Sequence, residues 1–309
     1  MSTRPKDSPT PSERKPLSLP QLAEMKAAGE QIVMVTAYDY PSAQVAEEAG
    51  VDIVLVGDSA AMTVLGYDST VPVDMDEMVM LSAAVRRGLR TPLLIADLPF
   101  GSYEQSNEQA VASAQRFVKE AGCDGVKLER GGASVDRARA IIRAGIPVMA
   151  HVGLTPQTAT ALGGYKAQGK TAWRAAQIAD EALALQAAGC FSIVFEAVPS
   201  ALTEALLPRM QIPVIGIGAG AADGQVLVFH DLLGIFSGHT AKFVKRYADV
   251  RAEMVRGVSA YADEVRSGAF PGAEHIYAID PAELAEFRAY LEQETLAPDA
   301  DWDWSATEI

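Results

Sequence analysis

The chain has 309 residues, 49% of them apolar, which suits one large α/β domain or two ordinary ones and excludes a disordered protein. Its net charge of −14 argues against a nucleic-acid partner, and no apolar run reaches the roughly 18 residues that a membrane helix needs. The only cysteines, Cys123 and Cys190, each follow an Ala-Gly pair at the end of a helical pattern and read as buried thiols, so a cytoplasmic location is expected.

The start, "MSTRPKDSPTPSERKPLSLP", has no apolar stretch of signal-peptide type and reads as a polar, Pro-rich tail over residues 1–16. From residue 31 onward one unit recurs: a short apolar run, a polar or Gly-rich turn, then an amphipathic helix often closed by "AG". The runs, in order, are "QIVMVTA", "DIVLVGD", "PLLIADL", "GVKLE", "PVMAHVGL", "SIVFEA", "PVIGIGAG" and the weaker "GQVLVF". Between them lie helical patterns such as "AQVAEEAG", "MDEMVMLSAAVRRG", "NEQAVASAQRFVKEAG", "SVDRARAIIRAG" and "TAWRAAQIADEALALQAAG". Glycine supplies their C-terminal stops. Runs apolar on both faces fit parallel strands covered by helices.

Such alternation allows an open doubly wound sheet or a closed (β/α)8 TIM barrel. Seven or eight units over about 220 residues suit the barrel, whereas an open sheet of eight parallel strands would be unusually wide. "GIGAG", Gly216 to Gly220, imitates a dinucleotide-binding turn but follows the seventh strand, and no long helix comes after it. It is expected to turn tightly or to let backbone approach a ligand. "TAKFVKRYADVRAEMVRGVSAYADEVRSG" reads as one long helical stretch. The barrel domain is expected over residues 17–278, with an acidic helical extension and tail over 279–309.

In a barrel, catalytic groups stand at the C-terminal ends of strands. Those ends carry Asp39, Asp58 with Ser59, Asp97, Lys127 with Glu129, His151 and Glu196. Helix N-capping would explain one or two of them. It does not explain "VKLE", whose Lys127 and Glu129 share a strand face, nor Glu196 inside "IVFEAV". Several carboxylates around one axis need a counter-charge, and oxygen ligands with retained water are what Mg2+ prefers. Asp97 is therefore expected to hold a metal, with Asp58 as co-ligand. Open metal positions suit a 2-oxo acid, whose enolate the cation would stabilise. Glu196, off the metal and in an apolar strand where burial favours a raised pKa, is the expected base.

These residues sit in stretches that resemble the ketopantoate hydroxymethyltransferase family from about Leu17 to Tyr277. The resemblance rests on "VTAYDYPSA", "VLVGDSAAMTVLGYDSTVPV", "LLIADLPFGSY", "VKLERGG", "AHVGLTPQ", "GGYKAQGK", "FEAVP", "IPVIGIGAGAADGQVLVFHDLLG" and "KFVKRY". It implies a barrel of the phosphoenolpyruvate/pyruvate superfamily. Asp58, Asp97 and Glu129 match the family's metal-site carboxylates. Asp58, Ser59, Asp97 and Lys127 match its contacts to the 2-oxo acid, and His151 an active-site histidine that touches substrate. Glu196 matches its proton acceptor. The implied reaction moves a hydroxymethyl group from 5,10-methylenetetrahydrofolate to 3-methyl-2-oxobutanoate, giving 2-dehydropantoate for pantothenate and coenzyme A synthesis. A homo-oligomer, typically a decamer, is implied as well. Arg130 stands where the family commonly has glycine.

Two other readings remain at this stage. A Mg-dependent C–C or P–C lyase or mutase of the same superfamily would want further basic residues beside Lys127. A barrel that binds a metabolite without catalysis would be expected to lose the base or a metal ligand, and none is missing.

Overall fold

A computed structural model describes residues 14–238 and 240–293. Eight parallel strands close into a barrel in chain order, as the repeating unit predicts. They are β1 (Ile32–Thr36), β2 (Ile53–Val56), β3 (Leu93–Asp97), β4 (Gly125–Glu129), β5 (Val148–Gly153), β6 (Ser192–Glu196), β7 (Val214–Ile217) and β8 (Gly224–Leu227). The helices are α1 (Leu19–Ala28), α2 (Tyr40–Glu48), α3 (Ala60–Thr63), α4 (Met75–Arg86), α5 (Asn107–Ala121), α6 (Ala133–Arg143), α7 (Ala172–Ala188), α8 (Ser200–Leu206), α9 (Phe229–Leu232), α10 (Val250–Ser267) and α11 (Pro281–Gln293).

The strands are apolar on both faces because each serves two cores. One alternation points inward: Ile53 and Leu55 of β2 join Ile95, Met149, Ile215 and Val226 inside the barrel. The other points outward, where Val54 and Val56 meet the helices. Leu22 of α1 belongs to the interior cluster, so α1 packs onto the barrel filling. Lys26 ties that helix to Asp223, before β8, at 2.6 Å, and Asp223 also accepts from the Val214 amide. A fully buried aliphatic side chain contributes roughly 1.5–3 kcal/mol. Leu22→Ala would therefore both open a cavity and loosen α1.

Local signals set the helix ends. Asp74 and Glu77 form a capping box at the start of α4, and Thr171 caps α7. Gly122 and Gly189 stop α5 and α7 in left-handed backbone, where the "AG" repeats fall. Both cysteines that follow are buried and free.

One expected element differs. Residues 240–249 are not helical, and the helix begins at Val250. Tertiary anchors override the local pattern there: the Phe243 ring packs against Gly218, and the Tyr247 amide donates to the Leu232 carbonyl at 2.7 Å. The chain falls into two units, one through Arg251 and one from Ala252 containing nearly all of α10 and all of α11. The N-terminal tail lies outside the described residues up to residue 13, and the acidic end beyond Gln293 does so as well.

Candidate active site

Strand register brings the charged residues together. Asp97 at the end of β3 stands opposite Lys127 of β4, and Glu129 at the end of β4 stands opposite His151 of β5. Gly153 is opposite Glu196 at the end of β6. A cavity of about 170 Å3 opens at these strand ends. Asp58, Ser59, Asp97, Lys127, Glu129, His151 and Glu196 all line it. Asp39, the other strand-end carboxylate, is a helix cap: it accepts from the Ser42 amide at 2.8 Å and does not line the cavity.

Lys127 lies 2.7 Å from Asp97 Oδ1, and both side chains are almost wholly buried. Burial alone would lower the lysine's pKa, but Asp97, Glu129 and Asp58 outweigh it and raise it. Lys127 is thus a permanent cation. Asp97 Oδ2 accepts from the Asp58 amide at 3.0 Å. The Asp58 carboxyl is pushed well up, first by burial and then by the charges of Asp97 and Glu129.

His151 spans two carboxylates, with Nδ1 3.3 Å from Glu129 and Nε2 3.2 Å from Glu196. The second contact is close but not aligned as a hydrogen bond. Burial and the Lys127 charge push the imidazole down, yet the two carboxylates carry it up to about 9. Its Nδ1 also lies within hydrogen-bond reach of Lys127 Nζ, at 3.4 Å.

Neutral residues hold the carboxylates apart. Gln157 donates from Nε2 to Asp58 and to the Leu98 carbonyl, both at 2.9 Å, and from its amide to Glu129 at 3.1 Å. Its Oε1 accepts from the buried Tyr103 hydroxyl at 2.7 Å. The Tyr38 hydroxyl shares a 2.8 Å hydrogen bond with Ser59 Oγ. These three were not singled out in the sequence, although each lies in a quoted stretch; neutral loop residues carry no pattern of their own. Tyr165, on the loop after β5, is near enough that burial, Asp58, Glu129 and Glu196 raise its phenol.

Two residues in left-handed backbone follow directly on site carboxylates: Arg130 after Glu129, at φ 70°, and Ala197 after Glu196, at φ 48°. For residues with a Cβ this costs on the order of 1–2 kcal/mol. Both mark the sharp turns that end the strands with a carboxylate facing the axis. At Arg130 the backbone is of the kind that favours glycine.

The donor set fits a divalent cation. Four carboxylates, Asp58, Asp97, Glu129 and Glu196, face one lysine and one histidine, Lys127 and His151. Full ionisation leaves two negative charges unmatched, and the raised Asp58 carboxyl registers that excess. No group of three or more His, Cys, Asp or Glu among the described residues is placed to hold a metal ion together. A hard cation bound through one or two carboxylates, with water and substrate oxygens completing the shell, needs none.

The model of the ketopantoate hydroxymethyltransferase family matches residues 16–273. The chain is 51% identical to 3-methyl-2-oxobutanoate hydroxymethyltransferase of Heliobacterium modesticaldum, over 86% of this chain and 97% of that one. It is 52% identical to the protein of that name from Moorella thermoacetica, over 86% and 99%. Among solved structures it resembles phosphonopyruvate hydrolase in complex with oxalate and Mg2+, with a TM-score of 0.55 at 13% identity, covering 90% of this chain and 99% of that one. It also resembles 2,3-dimethylmalate lyase, a member of the PEP mutase/isocitrate lyase superfamily, with a TM-score of 0.52 at 14% identity over 89% and 95%. At these identities the structural likeness bears on the barrel fold alone.

Proposed function

We infer the reaction from a plain premise: the chain belongs to the ketopantoate hydroxymethyltransferase family. Its substrates are then 3-methyl-2-oxobutanoate and 5,10-methylenetetrahydrofolate, and its product is 2-dehydropantoate. The observation that carries the reading is the single cavity in which the Lys127 cation and the Glu196 carboxylate both stand. One receives an anion, and the other can take a proton from it.

The Lys127 ammonium and the Ser59 hydroxyl bind the carboxylate of the oxo acid. Asp58 and Asp97 would hold a divalent cation, Mg2+, with Glu129 beside them. When bound, it stabilises the negative charge that develops on the substrate's keto oxygen. Glu196 removes the C3 proton, held in place by His151. The transferred carbon arrives at the aldehyde level, with water having replaced the carrier nitrogens on it, and tetrahydrofolate leaves. C3 attacks that carbon, the C–C bond forms, and the new alkoxide takes back the proton from Glu196. One water is consumed, and its oxygen becomes the product hydroxyl.

A cytoplasmic homo-oligomer, by family likeness a decamer, completes the reading. Two free, buried thiols are consistent with the location. An apolar groove of about 530 Å3 outside β1 and β8, beside the half-exposed Val33 and Val45, is consistent with subunit contacts.

The test is exchange of the C3 hydrogen of 3-methyl-2-oxobutanoate with deuterated water. The native enzyme should catalyse it with Mg2+ and without folate, and form product only when methylenetetrahydrofolate is added. Glu196→Gln should slow the exchange by roughly 10²–10⁴-fold. Exchange at the native rate in that variant removes Glu196 as the base.

A further inference from the structure

The cavity has two unlike arcs. The arc from β2 to β6 carries the charged groups already assigned. The opposite arc is apolar, formed by Ile217, Val226, Val228, Phe243 and Val244, and it contains one carboxylate, Asp231 of α9. No role falls to Asp231 in the chemistry of the oxo acid. Among the described residues its side chain accepts no hydrogen bond and forms no ion pair.

Phe243 is a fixed part of that wall. Gly218, at φ +62°, leaves room for its ring: a Cβ there would lie 2.4 Å from Phe243 Cδ1. The glycine turn after β7 is therefore shaped to seat an aromatic face beside the cavity. Asp231 is half-buried, its carboxyl raised by burial against the opposing charge of Arg246. Its charge is felt by the Tyr38 phenol, which bonds to Ser59.

A carboxylate with no hydrogen-bond or ion-pair partner among the described residues, beside a flat aromatic wall, matches a planar heterocycle with two adjacent donors. The 2-amino-4-oxopyrimidine edge of a pterin is such a group: its N3–H and 2-amino hydrogens pair with the two carboxylate oxygens. Its ring face packs on an aromatic. The geometry points to Asp231 and Phe243 as the docking site of the one-carbon carrier's pterin ring, with Asp231 positioning the donor by its amino edge. This rests on the folate-dependent reading above. It assigns the carrier to the β7–β8 arc, opposite Lys127, so that the transferred carbon faces C3 of the oxo acid from the free side. Asp231 touches the carrier and not the reacting atoms, so it is a positioning residue.

The experiment compares Asp231→Ala, Asp231→Asn and Asp231→Glu with the native enzyme by three readouts. These are the Kd of tetrahydrofolate, the KM of methylenetetrahydrofolate, and C3 hydrogen exchange without folate. Loss of a hydrogen-bonded charge should raise the first two by about 10- to 100-fold in the Ala and Asn variants. Glu should restore part of the loss, and exchange should stay near the native rate, which also reports that each variant folds. Tetrahydrofolate bound equally well by Asp231→Ala overturns the assignment, as does exchange that falls in step with transfer, since Asp231 would then serve the oxo acid. A native enzyme that binds tetrahydrofolate and forms product while the Ala variant binds it as well removes this inference alone. A native enzyme that does neither removes the functional reading with it.

Discussion

His151 Nε2 stands 3.2 Å from the Glu196 carboxylate, while the other side of the same ring faces Glu129 at 3.3 Å. One buried imidazole ring therefore stands between the proposed base and a carboxylate of the proposed metal site. This contact discriminates between two roles for the histidine, direct substrate contact and positioning of Glu196. If it positions, His151→Ala should slow C3 exchange by on the order of 10²-fold, the cost of a misplaced group. The Kd of 3-methyl-2-oxobutanoate should change only a few-fold. Titrating that Kd and measuring exchange at saturation separates the two, because a collapsed affinity with unchanged turnover makes His151 a substrate contact.

Asp97 serves two neighbours at once, Lys127 through Oδ1 and the Asp58 amide through Oδ2. Asp97→Asn keeps the shape and an acceptor for that amide but removes the charge. Mg2+ affinity, measured by calorimetry, should fall at least about 100-fold, more than loss of an outer partner costs. The near-ultraviolet circular dichroism should be retained. Unchanged Mg2+ binding would take Asp97 out of the metal site.

The barrel was legible because its strands are buried on both faces, which leaves short apolar runs with no alternation. A charge at the exit of such a run breaks the pattern, and that is why Asp58, Asp97, Lys127, Glu129 and Glu196 stood out. Gln157 did not, although it links Asp58 to Glu129. Its importance lies in where its loop goes, and nothing in the spacing of "GLTPQ" encodes that. Asp231 was hidden for the opposite reason: it sits in a four-residue helix where aspartate looks ordinary. Over 240–249 local helical propensity loses to a tertiary anchor: Phe243 meets Gly218 from a turn in which the Val244 amide donates to the Ala241 carbonyl.

Gly218→Ala tests that anchor. The substitution places a Cβ 2.4 Å from the Phe243 ring at a positive φ. Overpacking and left-handed backbone together should cost about 2–4 kcal/mol. In a Phe243→Ala background only the backbone part should remain, roughly 1–2 kcal/mol. Thermal unfolding of the four proteins gives the coupling. Equal losses in both backgrounds would mean that the ring does not press on Gly218.

The last prediction concerns acid stability and a carboxylate far from the site. Glu47, near the end of α2, accepts from the amides of Arg90 and Thr91 at 2.8 and 3.0 Å and from the Thr91 hydroxyl at 2.8 Å. Burial alone would raise its pKa, but these donors and the nearby Arg86 charge outweigh it and hold it below the ordinary glutamate value. The ionised form is thus favoured by folding. The stability this contributes is fully present above the unfolded pKa, about 4.3, and is lost as pH falls through the lower folded value. Glu47→Ala should therefore be less stable than the native protein at pH 7, by about 1 kcal/mol for hydrogen bonds lost from a partly exposed group. The gap in Tm should hold steady from pH 8 to about 5 and narrow below about 4.3. A gap that widens toward acid would mean that Glu47 is destabilising when ionised and that burial, not its three donors, governs it.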